Sequence, residues 1–528
     1  MKILVSDPLV DRGIELLKSI PDATVVVKTG LSKEALMSEI ADCEALLIRS
    51  GTQVDADVIR AARHLRIIGR AGVGVDNVDL EAATERGVIV MNTPGGNTVS
   101  TAEHAFCLIM GLARSLPQAH ASVKEGKWDR KRFKGIELYG KTLGIIGMGR
   151  VGTEVARRAI AFGMRVICHD PYVPMSKARG MEVEVVELDE LFARADFITC
   201  HAPLTDDTRG LIRRETIARM KKGVRIVNCA RGGIVVEEDL AEAIRQGQVA
   251  GAALDVYQEE PPGSEWPLRA LEPVVLTPHL GASTNEAQEN VGIEIAENVK
   301  EALRGGAIRN AVNMPSLDAK TLEALGPFMR FGERLGVFLA AYAPARVERF
   351  EITYAGRLAE LETGPVTRSI LAGFLRKALG PELNLVNALA KAAQHGIEVA
   401  ENRSREAAVF AELIEIRVRA DGEEASVSGT MYGSNTMPRI VRVNGLPVEA
   451  EPEGSLLIVF NDDRPGAIGH VGKVLGDQGV NIAGMTCGRT KAAGMAITLV
   501  NIDTMPDEAT MKKLASFPLI RRVAAVTF

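Results

Sequence analysis

The chain has 528 residues, 46% of them hydrophobic and 25% charged, and its formal net charge is −5. That length exceeds a single hydrophobic core, so we expect roughly three or four domains of a soluble, globular type. The net negative charge argues against a general nucleic-acid binder, although local arginines could still hold an anionic substrate.

The composition disfavours three further classes of protein. Six cysteines occur without a CxxC pair, which indicates reduced thiols and a cytoplasmic location. No stretch approaches the roughly 18 apolar residues of a membrane span, and the N-terminal apolar run is too short for a signal peptide. The eight histidines show neither HExxH nor clustered ligand spacing, so we expect no metal site.

Strands and helices alternate over the first 97 residues. Strands are predicted at 3–5, 24–27, 45–48, 67–68 and 88–91, with helices at 10–20, 33–40 and 57–62. This alternation predicts a small doubly wound unit, in which ligands bind at the carboxyl ends of the strands. Arg49 and Arg70 stand at two such ends beside glycines. We interpret them as anion-binding residues, the alternative being solvated surface charge.

A helix and a basic stretch are predicted next. Residues 100–116 are apolar on nearly every side and begin with a capping box, Ser100 to Glu103. They predict a helix that is buried between domains or subunits. Residues 124–134 form a basic patch, for which a solvated face is the default expectation.

The segment 141–170 carries the clearest motif. An apolar run at 143–146 predicts a buried strand, and the GxGxxG turn 147–152 follows it and opens a helix. Gly147 permits the tight turn, Gly149 lets the backbone approach a pyrophosphate, and Gly152 lets the helix pack on the strand. The next strand ends at Asp170, whose carboxylate can bond both ribose hydroxyls and would repel a 2′-phosphate. The segment predicts NAD binding, the alternative being a merely structural turn.

Three later side chains suit a hydride-transfer enzyme. Predicted strands at 225–229 and 274–276 lead to Arg231 and His279, and Glu260 precedes the second of these strands. Oxidation of a 2-hydroxy acid needs a guanidinium for the carboxylate, an imidazole for the hydroxyl proton and a carboxylate to orient that imidazole. Singly, Arg231 could bind a structural carboxylate, Glu260 could lie on the surface and His279 in the core. Together they predict catalysis.

The remaining organisation is predicted from changes of pattern. A helix at 292–303 would return the chain to the first domain, which is therefore expected to be discontinuous, 1–97 plus 288–315, around an NAD-binding domain at 98–287. Residues 316–452 predict an α+β domain with a helix at 322–341 and a hairpin near 427–443. Residues 453–528 predict the βαββαβ order of a ferredoxin-like fold. The predicted fold class is α/β: two doubly wound Rossmann-like domains followed by these two smaller ones.

The motifs GMGRVG, HAPLTDDTRGLI, NCARGG, ALDVYQEEPP and TPHLGAST occur in this order. With them the chain resembles the D-isomer-specific 2-hydroxyacid dehydrogenases. The stretches GRAGVGVDNVD, AEHA and KWDRKRFKGIELYGKTLGIIG bring it close to the long branch of that family that oxidises 3-phospho-D-glycerate. The resemblance covers the whole chain, and it implies an intervening domain, often called the allosteric substrate-binding domain, at 316–452 and an ACT regulatory domain at 453–528.

The resemblance also implies a role for each matching residue. Arg231, Glu260 and His279 would be catalytic. NAD would be bound by Gly147, Gly149, Arg150, Val151, Gly152, Asp170, Cys229, Ala230, Asp255, Gly281 and Ala282. The substrate would be bound by Arg49, Ser50, Arg70, Gly72, Val73, Gly74 and Asn97, with Arg130 reaching a neighbouring subunit's site. L-serine would be bound as an effector, between two chains, by Asn461, Asp463 and Asn481, the alternative being that these residues serve only the subunit contact.

The predicted function is NAD-dependent oxidation of 3-phospho-D-glycerate to 3-phosphooxypyruvate, the first step of phosphorylated L-serine biosynthesis. We expect a homo-oligomer, a tetramer by this interpretation, that L-serine inhibits. Two alternatives stay open: a dehydrogenase for another 2-hydroxy acid, and a non-catalytic NAD-sensing corepressor or scaffold.

Overall fold

The computed structural model describes residues 1–174, 176, 178, 180–405, 410–433, 437–489 and 494–528. Four β-sheets follow one another along this described part of the chain. None of its helices is long and apolar enough to cross a membrane. The described residues also contain no group of three or more His, Cys, Asp or Glu side chains placed to hold a metal ion.

The first sheet is five-stranded and parallel, in the order β2-β1-β3-β4-β5. Its elements are β1 (Lys2–Val5), α1 (Asp11–Lys18), β2 (Thr24–Val27), α2 (Lys33–Ile40), β3 (Ala45–Ile48), α3 (Ala56–Ala61), β4 (Ile67–Arg70), α4 (Leu80–Glu85) and β5 (Ile89–Met91). Every residue of the central strand β3 is buried. Helices cover both faces of such a sheet, which is why this strand is apolar throughout rather than alternating.

The second sheet is seven-stranded and parallel, in the order β12-β11-β10-β9-β6-β7-β8. Its elements are α5 (Thr98–Arg114), α6 (Leu116–Lys124), β6 (Thr142–Ile146), α7 (Arg150–Ala161), β7 (Arg165–His169), β8 (Glu184–Val185), α8 (Leu188–Arg194), β9 (Phe197–Cys200), α9 (Arg214–Ile217), β10 (Val224–Asn228), α10 (Glu237–Arg245), β11 (Val249–Leu254), β12 (Val274–Leu276) and α11 (Asn285–Leu303). The strand order reverses beside β6, with β7 on one side and β9 on the other. A reversal of this kind opens a ligand crevice at the carboxyl ends of the strands.

The helix α5 joins the two sheets, and its start differs from the predicted one. The capping box expected from Ser100 to Glu103 is wrong: the helix begins two residues earlier, and Asn97 precedes it without a side-chain cap. The Ser100 hydroxyl instead pairs with that of Thr284 at 2.7 Å, and Glu103 is exposed. Local spacing predicted the helix correctly, but the Ser100 hydroxyl bonds to Thr284, 184 residues away, instead of capping the helix.

The helix α11 returns to the first sheet, as the sequence predicted. It packs on α1 so closely that a Cβ on Gly13 would lie 2.8 Å from the carbonyl oxygen of Gly292. Ile295 and Val299 enter the core beneath β4, and Met91 forms a bridge with Ala311. These contacts agree with a discontinuous first domain, although the exact boundaries 1–97 plus 288–315 and 98–287 stay a prediction.

The last two sheets share one hydrophobic core. The six-stranded sheet has the order β14-β13-β15-β16-β17-β18 and the four-stranded one the order β20-β21-β19-β22. Tyr342 contacts both Phe338 and Phe460, with ring centroids 5.4 and 5.6 Å apart, and so joins the two parts. Their elements are α12 (Ala319–Ala340), β13 (Arg349–Gly356), a 3₁₀ turn (Arg357–Glu360), α13 (Gly364–Leu379), α14 (Ala388–Gln394), β14 (Glu398–Ser404), β15 (Glu412–Ala420), β16 (Glu423–Tyr432), β17 (Met437–Val443), β18 (Leu446–Ala450), β19 (Ser455–Asp462), α15 (Ala467–Asp477), β20 (Ile482–Arg489), β21 (Met495–Ile502), α16 (Glu508–Ala515) and β22 (Ile520–Thr527).

The predicted fold class is confirmed. The C-terminal part has the expected βαββαβ order, and β16 pairs antiparallel with β17, with Val427 opposite Val443. The tip of that hairpin, 434–436, lies outside the described residues. The connection between α13 and α14 touches the first domain through Asn384, whose amide donates to the Gly87 carbonyl oxygen at 2.9 Å.

Candidate active site

The glycine turn between β6 and α7 has the geometry of a phosphate cradle. Gly147 has φ +92°, a conformation that only glycine adopts easily, and a Cβ on Gly152 would lie 2.1 Å from the Gly147 carbonyl oxygen. A Cβ on Gly149 would meet nothing within 4 Å, so the space before the helix is open. The first N–H groups of α7 face that space, and an anion fits there.

Asp170 lies beside this turn at the end of the neighbouring strand β7. Its Oδ2 accepts the Met148 N–H at 2.7 Å, and its Oδ1 accepts the Tyr172 N–H at 2.8 Å. Each oxygen keeps a lone pair for another donor. These bonds hold the carboxylate next to the phosphate cradle, the place that a ribose diol occupies in this type of fold.

Arg150 reaches from the turn toward the first domain. Its Nη1 would lie 3.3 Å from a Cβ on Gly95, and its charge acts on the partly buried carboxyl of Glu294 on α11. Burial, which outweighs that charge, raises the pKa of Glu294. Val151, the next residue, packs partly against the core under β6. The cofactor turn thus faces the crevice between the two domains.

Three loops carry the predicted catalytic residues, and they leave the neighbouring strands β10, β11 and β12. They interlock tightly, since a Cβ on Gly232 would lie 1.7 Å from the Tyr257 carbonyl oxygen. In the first loop Ala230 donates its N–H to the Asn228 side chain at 3.0 Å. Cys229 is buried, which raises the pKa of its thiol well above the ordinary value. That thiol is therefore neutral at physiological pH.

His279 and Glu260 form a pair at the mouth of the crevice. His279 Nδ1 lies 2.7 Å from Glu260 Oε2, and the other oxygen of Glu260 accepts the Tyr257 N–H at 3.1 Å. With Nδ1 bonded to the carboxylate, Nε2 is the free nitrogen of the ring. Both side chains are partly exposed. This is the arrangement of an imidazole base and the carboxylate that orients it.

Arg231 bridges the two domains. Its Nη1 donates to the Ala230 carbonyl oxygen at 2.7 Å, and its Nε lies 3.3 Å from Asp76 Oδ2 in the first domain. A Cβ on Gly74 would lie 2.3 Å from its Nη2. The guanidinium therefore rests against the Gly74 backbone, at the boundary between the two domains.

Arg70 and Arg49 lie close to Arg231. A Cβ on Gly72 would lie 1.9 Å from Arg70 Nη1, and the buried Arg70 Nε has no hydrogen-bond partner. Burial, together with the charges of Arg231 and Arg49, lowers the pKa of Arg70 to about 10. Two guanidiniums that repel that of Arg70, together with its unsatisfied N–H, indicate a site prepared for an anion.

The other predicted substrate residues surround this cluster. Asn92 donates to the Val73 carbonyl oxygen at 2.6 Å and fixes that turn, while Ser50 is exposed. Asn97 stands at the start of α5 with its side chain free of any cap bond. Arg130 is exposed on the loop after α6, so a role at the site of another subunit stays a prediction.

Several residues that position the site escaped sequence analysis. Asp7 is buried after β1 and accepts the Arg49 N–H at 2.6 Å. Asn228 shapes the Arg231 loop from both sides, and Glu237 accepts the Gln258 N–H at 2.7 Å beside Glu260. Each of these residues is a polar residue at the end of a strand or the start of a helix. Many solvent-exposed residues have the same position, so this feature does not identify a site residue.

Asp255 accepts hydrogen bonds within the protein that the sequence did not predict. It is 1% exposed, and its carboxylate accepts the N–H groups of Leu280 at 2.7 Å and Gly281 at 2.8 Å. Ala282 follows, half-buried. Asp255 thus anchors the loop that carries His279, and a contact to NAD stays a prediction.

The three predicted effector residues do not meet within one chain. Asp463 pairs with Arg489 at 2.6 Å, whereas Asn481 donates to Asp503 at 2.8 Å. The strand β20 runs from one of these points to the other, which separates them by roughly 25 Å at about 3.3 Å per residue. Asn461 is buried and hydrogen-bonded to Thr498 and to the Asp462 carbonyl oxygen.

Family models match three stretches of the chain. The D-isomer specific 2-hydroxyacid dehydrogenase NAD binding domain matches residues 106–281. The D-3-phosphoglycerate dehydrogenase intervening domain matches 324–444, and the ACT domain matches 455–518. The predicted cofactor NAD, the intervening domain and the ACT domain are thereby confirmed.

Relatives extend the match to the entire chain. It is 47% identical to the D-3-phosphoglycerate dehydrogenase of Methanocaldococcus jannaschii, over 100% of this chain and 99% of that protein. It is 45% identical to the one of Archaeoglobus fulgidus, over 97% of each. A solved D-lactate dehydrogenase from Aquifex aeolicus, complexed with NAD and lactic acid, is similar with a TM-score of 0.54 and 28% identity, over 60% of this chain and 100% of that one. The chain therefore belongs to the D-3-phosphoglycerate dehydrogenase family, within the NAD-binding D-isomer-specific 2-hydroxyacid dehydrogenases.

Proposed function

We propose that the protein oxidises 3-phospho-D-glycerate to 3-phosphooxypyruvate with NAD, as the first step of phosphorylated L-serine biosynthesis. The observation that carries the proposal is the 2.7 Å pair between His279 Nδ1 and Glu260 Oε2, beside a cluster of three arginines. A nearby base and an anion site are what oxidation of a phosphorylated hydroxy acid requires. We propose the same roles for the residues named from the sequence.

The reaction divides between the cofactor and the chain. Bound NAD supplies the hydride acceptor for the hydrogen on C2 of the substrate. His279 Nε2 takes the proton of the C2 hydroxyl, because Nδ1 is bonded to Glu260. The carboxylate of Glu260 stabilises the imidazolium that forms. Arg231 holds the substrate carboxylate and polarises the forming carbonyl with its remaining N–H donors.

The arginine cluster favours a phosphorylated substrate over a simple hydroxy acid. Arg231 suffices for one carboxylate, whereas Arg49 and the half-buried Arg70 add two more cationic groups near it. Partial burial of the Arg70 charge costs free energy that a bound anion would offset. A second anionic group on the substrate, the phosphate, would bind these additional arginines.

The test is NADH formation with 3-phospho-D-glycerate and with D-glycerate, D-lactate and glycolate as unphosphorylated controls. We expect a preference for the phosphorylated acid that Arg49→Ala largely removes. Equal turnover of the unphosphorylated acids would favour a dehydrogenase for another 2-hydroxy acid. NAD binding without NADH formation from any acid would favour a corepressor or scaffold.

We also propose a homo-oligomer, a tetramer in which one contact uses the NAD-binding domain. Large apolar side chains are exposed there within one region of the chain: Leu116, Val123, Trp128, Tyr139 and Phe162. An apolar group of this size is typical of a surface covered by a partner. Arg130 lies beside Trp128 and would reach the partner's site. Sedimentation of the wild type against Trp128→Glu tests the contact, since an unchanged mass would contradict it.

L-serine is the effector that we propose for the ACT domain. Because Asp463 and Asn481 lie at opposite ends of β20, a site that uses both must form between two copies of the chain. Inhibition by millimolar L-serine that Asn481→Ala abolishes, with turnover unchanged in its absence, would support this site. Inhibition that survives in both Asn481→Ala and Asp463→Ala would place serine elsewhere.

A cytoplasmic location is proposed from the thiols. All six cysteines are free, and three of them lie in the second domain's core: Cys168, Cys200 and Cys229. A reducing compartment keeps such thiols intact. Fractionation of cells with an antibody to the protein checks this location.

A further inference from the structure

The helix α5 presents three polar residues to the loop that carries His279. Ser100 bonds to Thr284, Thr101 lies against Gly281, and His104 faces Thr277 and Asp255. Positions 100, 101 and 104 fall on one face of a helix. One side of α5 thus contacts the loop on both sides of the catalytic imidazole.

Asp255 is the centre of this contact. Besides the N–H groups of Leu280 and Gly281, it accepts the Thr277 hydroxyl at 2.6 Å and lies 3.1 Å from His104 Nε2. The carboxylate therefore binds the loop before and after His279. That loop needs an external constraint, because His279 has φ +54°, which is uncommon for a residue other than glycine.

His104 supplies one of the donors to a carboxylate that is shielded from water. Asp255 is 1% exposed, so water does not replace a lost hydrogen bond there. Burial by itself would raise the pKa of Asp255, but the bonds from His104 and Thr277 outweigh it and lower the pKa. The Asp255 oxygen that His104 contacts also receives the Thr277 and Leu280 donors.

We propose that His104 is a positioning residue for the reaction: it holds the Asp255 carboxylate, and through it the loop 277–281, so that His279 meets the substrate hydroxyl. The inference rests on the proposed function and adds a residue to it. His104 itself touches neither His279 nor Glu260. Its effect is expected on the chemical step rather than on binding of 3-phospho-D-glycerate.

The test compares His104→Leu, His104→Gln and the control Glu103→Gln in the NADH assay. Glutamine places an N–H close to the position of imidazole Nε2, whereas leucine keeps only the volume. Glu103 is the neighbouring exposed residue on α5. We expect His104→Leu to lower kcat by roughly 10- to 100-fold with KM for 3-phospho-D-glycerate within about threefold, since a displacement near 1 Å costs up to about 10². His104→Gln should recover most of the loss, and Glu103→Gln should match the wild type.

Two results would overturn the inference. One is normal kcat in His104→Leu while the wild type is active. The other is an equal loss in His104→Leu and His104→Gln together with an equal drop in Tm, which would indicate packing alone. A wild type without activity toward any 2-hydroxy acid would overturn the proposed function and this inference with it. The activity of the wild type therefore distinguishes a failure of the proposed function from a failure of the role proposed for His104.

Discussion

Replacing Gly74 by alanine tests whether the exact position of Arg231 matters for catalysis. A Cβ at this position would lie 2.3 Å from Arg231 Nη2 and 2.7 Å from Asp76 Oδ2. Ordinary contact needs about 3.4 Å, so the guanidinium must move by roughly 1 Å. Gly74 has no positive φ, and its neighbours are the far ends of flexible side chains. The substitution should therefore leave the fold intact while it displaces Arg231, the residue that binds the substrate carboxylate.

The expected loss follows from that displacement. Misplacing a reacting or binding group by 1 Å costs about 10²-fold, or about 2.7 kcal/mol of transition-state stabilisation. We expect kcat/KM for 3-phospho-D-glycerate to fall by about 100-fold, with the affinity for NADH unchanged. Tm should stay within about 2 °C, because no buried group loses its partner.

The assay is NADH absorbance in steady state, with NADH fluorescence for binding and a thermal scan for stability. Gly263→Ala is the matched control, since a Cβ on Gly263 would meet nothing within 4 Å. A Gly74→Ala enzyme with kcat/KM within threefold of the wild type would refute the reasoning. It would mean that Arg231 binds no substrate group in the position found here.

Three further predictions concern single residues. His279→Ala should lower kcat by about 10²- to 10⁴-fold with NADH binding kept, because only the proton acceptor is removed; near-normal turnover would exclude the histidine from the mechanism. Asp170→Ala should weaken NADH binding by roughly tenfold and reduce the preference for NADH over NADPH. Titration with both cofactors measures this preference. An unchanged preference would contradict the contact between Asp170 and the ribose. His201 should make stability depend on pH, because burial lowers its pKa to about 4. The unfolded side chain binds a proton below pH 6.5 while the folded one stays neutral, so stability falls by up to about 2–3 kcal/mol as pH drops from 6.5 to 4. His201→Asn should flatten this part of the Tm-against-pH curve, and an unaltered slope would assign it to other groups.

Local patterns predicted most of the fold, and the reason is the range over which they act. The buried strands β3, β6 and β9 appear in the sequence as apolar runs, because a parallel strand covered on both faces has no polar alternation. The glycine turn was equally visible, since the positive φ of Gly147 and the close approach of Gly152 to the Gly147 carbonyl oxygen are local needs. Ser100 shows the limit: its spacing to Glu103 fits a capping box, yet its hydroxyl pairs with Thr284.

The sequence by itself determined which chemical groups the protein has for its reaction and the order in which strands present them. Only the tertiary structure decided which of these groups meet. Glu260 reaches His279 across 19 residues, Arg231 reaches Asp76 in another domain, and Asp463 and Asn481 are kept apart by the length of one strand. Secondary structure depends on neighbours within a few residues, whereas these meetings depend on strand order and domain packing, which no short stretch of sequence encodes.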